Sequence, residues 1–162
     1  MAAVLLLAAV ARADDSPQLT VGGGLFELTA RKLQTAEGDI FFRSGHGWFD
    51  GGDAFGGLRP AVGLMVNAKG AVMGWGGVAA PFQFADGRWE VEPAIGAGAY
   101  SRGNSKRLGG PFAFHLGLNV SYGVGAHSRV GLAFMHISNG GIYEKNPSVN
   151  SALVTWSWRF RG

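Results

Sequence analysis

The feature that most constrains the fold is a strict alternation between apolar residues and small or polar residues. Between positions 112 and 122 every even position is apolar, and every odd position is small or polar. Positions 154–160 repeat the pattern, with aromatic residues at 156, 158 and 160. A period of two places all apolar side chains on one face of a β-strand, so the sequence predicts an all-β chain.

The polar face of one segment distinguishes a barrel interior from a packed core. Trp89, Val91 and Ile95 alternate with Glu90 and Glu92, and two glutamates on one strand face would be costly inside a soluble sandwich. Only 15% of all residues are charged, against about 25% in typical soluble domains. A soluble β-sandwich or a lipocalin-like barrel would place large apolar residues inside and charge outside. The pattern therefore favours a barrel whose aromatic, nearly uncharged face contacts lipid.

Eight segments with strand character follow one another, and lengths near ten residues suit tilted strands that cross a bilayer. Lys69-Gly70 and Asp86-Gly87 provide tight-turn chemistry. With 28 glycines in 162 residues, the sequence predicts an all-β, eight-stranded antiparallel transmembrane β-barrel without open edges. Small residues are expected to fill its narrow lumen, and aromatic residues to face lipid. The predicted strands are 19–30, 37–45, 58–68, 71–84, 88–100, 110–123, 128–138 and 150–160.

The first 13 residues have the features of an export signal peptide. Val4 to Val10 form an apolar core, and Ala11-Arg12-Ala13 is an A-x-A cleavage pattern. Because the positively charged n-region is missing, we expect a signal peptide that is truncated at its start; the alternative is a short buried helix. Residues 14–162 are then expected to form a single barrel domain.

Composition also excludes several functional classes. The chain has no cysteine, which excludes a disulfide scaffold, a thiolate metal site and a cysteine nucleophile. A formal charge of +3 is too small to indicate a nucleic-acid partner. No histidine has metal-ligand spacing with a carboxylate on a common face, so we expect neither a metal nor another cofactor.

One segment fits the barrel pattern badly. Residues 44–57 form a long glycine-rich link between the second and third predicted strands. By strand count this link is periplasmic, where short turns are expected. Either the second strand is longer than predicted, or the link is a genuine insertion.

His136 and Ser138 interrupt the apolar face of the seventh predicted strand near its extracellular end. Val130, Leu132 and Phe134 define the outward phase, and His136 and Ser138 continue it. Their spacing of two residues corresponds to about 7 Å along a strand, so a base and a nucleophile could meet on the outside of the barrel. The alternative is an interfacial pair that ends the apolar band. Among the other histidines, His46 falls in the glycine-rich link, His115 in the lumen and His127 in a periplasmic turn.

The segment that starts at His136 carries a recognisable motif. His136-Ile137-Ser138-Asn139-Gly140-Gly141-Ile142-Tyr143, followed by Asn146-Pro147, resembles the C-terminal signature of PagL-type lipid A 3-O-deacylases. The stretch 78–98 also resembles the barrel core of that family. The resemblance implies an eight-stranded barrel in the outer membrane of a Gram-negative bacterium, with lipid A or lipopolysaccharide as its substrate.

The resemblance also implies a serine hydrolase mechanism without a metal. Ser138 would attack the ester at the 3 position of lipid A, and His136 would act as general base. Asn139, Gly141 and Asn146 match the active-site loop, where backbone donors could hold the oxyanion. The products would be a 3-hydroxy fatty acid and a 3-O-deacylated lipid A.

One position departs from the family pattern, which has an acidic residue at the start of the last strand. Here that position is Asn150, which cannot stabilise an imidazolium by charge. Three interpretations follow: asparagine suffices, Glu144 of the same loop reaches His136 instead, or most activity is lost. The third corresponds to a catalytically weak or inactive barrel with a structural or adhesive role.

A basic loop lies on the same side of the predicted barrel. Residues 101–110 are extracellular by strand count, and Arg102, Lys106 and Arg107 could contact the phosphates of lipid A. The alternative is an ordinary solvated basic loop.

Overall fold

The computed structural model describes residues 16–49 and 54–160. The predicted signal peptide lies outside these described ranges. The described ranges contain no helix long and apolar enough to cross a membrane. The strands are β1 (Gln18–Phe26), β2 (Thr35–Arg43), β3 (Arg59–Asn67), β4 (Val72–Ala79), β5 (Phe82–Phe84), β6 (Trp89–Ser101), β7 (Phe112–Gly123), β8 (Ser128–Ser138) and β9 (Ser148–Arg159), with one 3-10 turn at Arg31–Leu33.

The strands form one antiparallel sheet that closes on itself. They pair in the order β4-β3-β2-β1-β9-β8-β7-β6-β5, and β4 also pairs with β6. Both β4 and β5 run along β6, with Ala79 opposite Ala94 and Phe82 opposite Val91. Pro81, which has no N–H, interrupts the ladder between them. Since β4 and β5 are two parts of one wall strand, the barrel has eight strands, as predicted.

The barrel has two ends that differ in their loops. We call the end with loops 27–34, 68–71, 102–111 and 139–147 the outer end. The inner end carries Ser16, Phe160, and the connections 44–58, 85–88 and 124–127. The first strand ends at Phe26, earlier than predicted, because Glu27 has a φ of 65° and turns the chain.

The alternation of side chains matches the prediction for a lipid-facing barrel. Leu116, Leu132 and Val154 point outward and are exposed. Glu90 and Glu92 point into the lumen and are 0% and 2% exposed. A large apolar exterior around a charged interior is the reverse of a soluble sandwich, so the soluble alternative is rejected.

Charged side chains fill the lumen towards the inner end. Arg43 lies 2.8 Å from Glu92, and Arg159 donates a hydrogen bond of 2.6 Å to Glu90. Arg129 lies 3.8 Å from the other oxygen of Glu90 and donates to Ser121. Buried charges are tolerated only when they are paired in this way.

The expectation that aromatic residues face lipid was wrong for Trp75 and Phe41, which pack in the middle of the lumen. Trp75 is 8% exposed inside the barrel, and its ring stacks on His115 at 4.0 Å and on Phe41 at 5.6 Å. Inward glycines provide the room. A Cβ added at Gly63 would overlap the indole, and one at Gly96 would lie 2.6 Å from it.

The glycine-rich link between β2 and β3 is an insertion, because β2 ends at Arg43. Trp48 forms a bridge with Leu58, and further along the link Phe55 forms one with Phe82 of β5. The Gln83 N–H donates to the Ala54 carbonyl at 2.8 Å. The insertion therefore supplies β5 with the pairing partner that β3 is too short to provide.

Exchanging glycine for alanine on the two faces of the wall tests the packing of Trp75. Gly63→Ala should destabilise the barrel by about 1–3 kcal/mol, because the new methyl group overlaps the Trp75 ring. Gly74→Ala is the control, since a Cβ there meets nothing within 4 Å. Urea unfolding in lipid vesicles measures the difference, and equal stability of the two variants would contradict this packing.

Candidate active site

The ends of β8 and β9 at the outer end of the barrel carry His136, Ser138 and Asn150. His136 is the cross-strand partner of Asn150, and Ser138 is the cross-strand partner of Ser148. On the other side, Ser138 pairs with Phe114 of β7. His136 and Ser138 are two residues apart on the outward face, and both are half-buried.

The imidazole of His136 is held by Asn150. Its Nδ1 lies 2.8 Å from Asn150 Oδ1. An amide oxygen only accepts hydrogen bonds, so in the neutral imidazole this contact places the proton on Nδ1 and leaves the lone pair on Nε2. This is the tautomer that a general base needs.

Glu144, the other predicted partner of the histidine, is exposed in loop 139–147. Within the described ranges no hydrogen bond or ion pair joins Glu144 to His136. The geometry therefore favours Asn150 over Glu144 as the residue that orients the ring.

An apolar groove of about 260 Å³ runs along the outside of the barrel wall beside His136 and Asn150. Its position on the outside of the barrel allows a chain from the surrounding lipid to enter it sideways. The lining side chains include Leu28, Leu116, Leu118, Phe134, His136 and Asn150.

Asn139 organises the loop that follows β8. Its buried amide donates to the carbonyls of Leu108 and Lys145, both at 2.7 Å, and its Oδ1 accepts the Gly141 N–H at 2.8 Å. Asn139, which the resemblance associated with an oxyanion site together with Gly141, thus joins loop 139–147 to loop 102–111 through Leu108, and its bond to the Gly141 N–H lies within loop 139–147. Asn146 is exposed in the same loop.

The turn after Asn139 requires glycine. Gly140 and Gly141 have φ values of 63° and 83°, in the left-handed region that side chains disfavour. A Cβ at Gly140 would lie 2.6 Å from the Phe114 ring. The N–H of Gly140, two residues after Ser138 in the chain, makes no hydrogen bond with the described part of the chain.

Two residues for which the sequence predicted no role support the same loops. The Tyr143 hydroxyl accepts the Phe112 N–H at 3.1 Å, and its ring packs against Gly110. Glu27, whose carboxylate is buried, binds Lys106 at 2.6 Å. Contacts between distant loops of this kind have no sequence signature.

The predicted basic residues differ in their surroundings. Arg102 and Arg107 are exposed, whereas the ammonium of Lys106 is bound by Glu27. A contact of Arg102 or Arg107 with a phosphate stays a prediction, and Lys106 is less available for one.

The remaining histidines lie elsewhere. His115 is in the lumen as predicted, with Nε2 3.4 Å from Met135 Sδ. His46 lies in the insertion and His127 in the turn before β8. The described residues contain no group of three or more histidines and carboxylates that could hold a metal ion.

Comparison with known proteins gives consistent matches. Residues 34–159 match the family model described as "Lipid A 3-O-deacylase (PagL)". "Lipid A deacylase PagL" of Bordetella bronchiseptica (strain ATCC BAA-588 / NCTC 13252 / RB50) is 32% identical over 75 residues, which are 45% of this chain. The match spans 42% of the length of that relative.

Solved structures share the fold. The crystal structure of the outer membrane enzyme PagL has a TM-score of 0.66 and 16% identity, over 90% of this chain and 100% of that one. Neisserial surface protein A has a TM-score of 0.58 and 13% identity, over 89% of this chain and 97% of that one. A de novo designed transmembrane β-barrel has a TM-score of 0.54 and 11% identity, over 93% of this chain and 99% of that one.

The role of Asn139 can be tested by replacing it with its acid. Asn139→Asp keeps the acceptor for Gly141 but points a carboxylate at two carbonyls, so loop 139–147 should lose its order while the barrel stays folded. Limited proteolysis of the folded protein in vesicles should show faster cleavage in this loop. Asn146→Asp, at an exposed position, is the control; equal cleavage of both variants would contradict the assignment.

Proposed function

Because the chain belongs to the lipid A 3-O-deacylase (PagL) family, we propose that it removes the 3-hydroxyacyl chain from the 3 position of lipid A as a serine esterase. The chain is an outer-membrane barrel, so its outward wall lies against the lipid that carries this ester. The observation that carries the proposal is the hydrogen bond of 2.8 Å between His136 Nδ1 and Asn150 Oδ1. It orients a base two residues from Ser138 on the lipid-facing side.

In the first half of the reaction, Ser138 Oγ attacks the carbonyl carbon of the ester and its proton passes to His136 Nε2. The bond between the acyl carbon and the sugar oxygen then breaks, and the leaving oxygen takes the proton from Nε2. The acyl chain is now attached to Ser138, and 3-O-deacylated lipid A leaves.

In the second half, a water molecule gives a proton to His136 and attacks the acyl-serine ester. The proton returns to Ser138 Oγ as the 3-hydroxy fatty acid leaves. Both side chains are regenerated and one water molecule is consumed for each ester, so the balance of atoms is that of ester hydrolysis.

The oxyanion of each tetrahedral intermediate needs donors near Ser138. The N–H of Gly140 and the side-chain amide of Asn146 are the candidates, because the Gly141 N–H is already bound to Asn139. Asn139 would then act indirectly, by holding the loop that presents these donors.

The groove beside His136 offers a place for the acyl chain. Its walls are formed mainly by leucines and Phe134. An acyl chain can therefore pass from the lipid into the groove without leaving an apolar environment. The exposed guanidinium groups of Arg102 and Arg107 could bind the phosphates of the same lipid A molecule.

Replacing the nucleophile is the direct test of the proposed reaction. Expression of the protein in a Gram-negative host with unmodified lipid A should yield lipid A that lacks one 3-hydroxyacyl chain, as measured by mass spectrometry. Ser138→Ala should abolish this loss without affecting folding, since the half-buried Ser138 hydroxyl makes no hydrogen bond with the described residues. Unchanged lipid A in cells with folded, membrane-inserted wild-type protein would contradict the proposal and favour an inactive barrel with a structural or adhesive role.

Replacing Asn150 tests what orients the base. Asn150→Asp keeps the size of the side chain and adds a charge that stabilises the imidazolium, so kcat should rise by about 10-fold to 10³-fold. Asn150→Ala should lower kcat by about tenfold because the ring loses its partner. Turnover of purified lipid A in mixed micelles measures both effects.

The matched control is Glu144→Gln, which removes the carboxylate that the structure leaves apart from His136. It should leave kcat unchanged. A strong loss in Glu144→Gln, with no effect of either change at position 150, would reverse the assignment of the orienting residue.

A further inference from the structure

We propose that Glu27 and Lys106 are positioning residues, which hold loop 27–34 against β9 and so fix Leu28 beside the His136–Asn150 pair. The proposal rests on the proposed function, and it assigns Lys106 a role other than phosphate binding. We call this ion pair and its loop contacts the outer clamp.

The carboxylate of Glu27 is the centre of the outer clamp. It is fully buried and accepts a hydrogen bond of 2.6 Å from Lys106 Nζ. It also accepts the backbone N–H groups of Thr29 at 3.1 Å and Ala30 at 3.0 Å, and the Thr29 hydroxyl. These bonds close a tight turn directly after β1, where Glu27 itself takes a left-handed conformation.

Leu28 is the residue that this turn presents to the candidate site. Its N–H donates a hydrogen bond of 2.8 Å to the backbone carbonyl of Asn150. Its side chain lines the groove together with His136 and Asn150. The turn closed by Glu27 is therefore hydrogen-bonded to the backbone of Asn150, whose side-chain oxygen contacts the imidazole of His136.

Lys106 is itself held in place from two sides. Its carbonyl accepts the Tyr100 hydroxyl at 2.8 Å, at the end of β6. Two residues further on, the Leu108 carbonyl accepts the amide of Asn139. The outer clamp thus connects loop 27–34 to loop 102–111 through positions 79 residues apart, and Asn139 connects loop 102–111 to loop 139–147.

Electrostatics makes the pair interdependent. Burial raises the pKa of Glu27, but the hydrogen bond and charge of Lys106, together with the donors of Thr29 and Ala30, lower that pKa below its usual value. A carboxyl with a lowered pKa stabilises the folded loop above its ordinary pKa, and this stabilisation is lost as the pH falls through the lowered value. Without Lys106 the buried carboxylate has no cation beside it, so the turn should open to water.

Tyr100 of β6 is a titratable group that feels the charge of this carboxylate, and several cations lie in the neighbouring loops. Arg31 and Lys32 follow in the same loop with exposed side chains. The Nζ of Lys69 donates to the Lys32 carbonyl rather than to Glu27. Within the described ranges, Lys106 is the cation bound to Glu27.

A positioning role and a phosphate-binding role predict different kinetics. If Lys106 held a phosphate, its loss would raise KM and leave kcat nearly unchanged. If it positions Leu28, its loss disturbs the orientation of the base, and small misplacements of this kind lower kcat by about 10-fold to 100-fold. Lys106→Met should therefore lower kcat with KM changed less than about threefold.

The experiment compares Lys106→Met, Lys106→Arg and Glu27→Gln with the wild type, using purified lipid A in mixed micelles. Lys106→Arg should recover most of kcat because it restores a cation, and Glu27→Gln should resemble Lys106→Met. Lys32→Met is the matched control, since it removes an exposed cation from loop 27–34 and should leave kcat and KM unchanged.

A second measurement does not depend on activity. Amide hydrogen exchange at Leu28, followed by NMR in lipid nanodiscs, should be at least about tenfold faster in Lys106→Met and Glu27→Gln than in the wild type or Lys32→Met. In the wild type the protection of this amide should fall as the pH is lowered through the depressed pKa of Glu27, and in Lys106→Met it should fall at a higher pH.

The two readouts separate the two proposals. Unchanged exchange at Leu28 in Lys106→Met overturns the outer clamp, as does a rise in KM without a fall in kcat. A wild-type protein that hydrolyses no lipid A overturns the proposed function, while the exchange measurement still decides whether Glu27 and Lys106 hold Leu28 in place.

Discussion

The constraint on which the rest of the structure depends is ring closure with eight strands. In lipid every backbone N–H and C=O must find a partner within the protein, and the pairings β1–β9 and β4–β6 leave no open edge in the wall. A ring of eight strands encloses little space. Inward glycines give that space to the Trp75–His115 stack, and the Arg43–Glu92 and Arg159–Glu90 pairs fill the lumen nearer the inner end.

A filled lumen shifts the available chemistry to the outer wall and the loops. On that wall a polar side chain has to be tolerated by lipid or to lie close to the headgroups, as His136, Ser138 and Asn150 do at the ends of β8 and β9. The loops at the same end then fix the geometry. Asn139 joins loops 102–111 and 139–147, and the Glu27–Lys106 pair joins loop 27–34 to loop 102–111. The outward-facing His136 and Asn150 are therefore supported by the loops of the outer end rather than by packing in the lumen.

The sequence predicted most of the wall because the outward apolar phase is continuous, as in residues 112–122. It failed to place Trp75 in the lumen, since the outward neighbours of that residue are Gly74 and Gly76 and supply no apolar contrast. The resemblance pointed to Asn150 but left Glu144 open as the partner of His136, and the cross-strand pairing of His136 with Asn150 was needed to choose between them. The Glu27–Lys106 pair could not be predicted, because it depends on how two loops fold over the rim.

Asparagine at position 150 has a physical consequence for the candidate base. An aspartate-to-asparagine change in a serine hydrolase lowers turnover by about 10⁴ when it favours the wrong tautomer of the histidine. Here Oδ1 faces Nδ1, so the correct tautomer is kept and only the charge is missing. Near the lipid interface a carboxylate costs about 0–1 kcal/mol, so folding alone does not require a neutral side chain at this position. In the proposed mechanism, the asparagine therefore affects the reactivity of His136 much more than the stability of the barrel, because it keeps the orienting contact but lacks the charge of an acid.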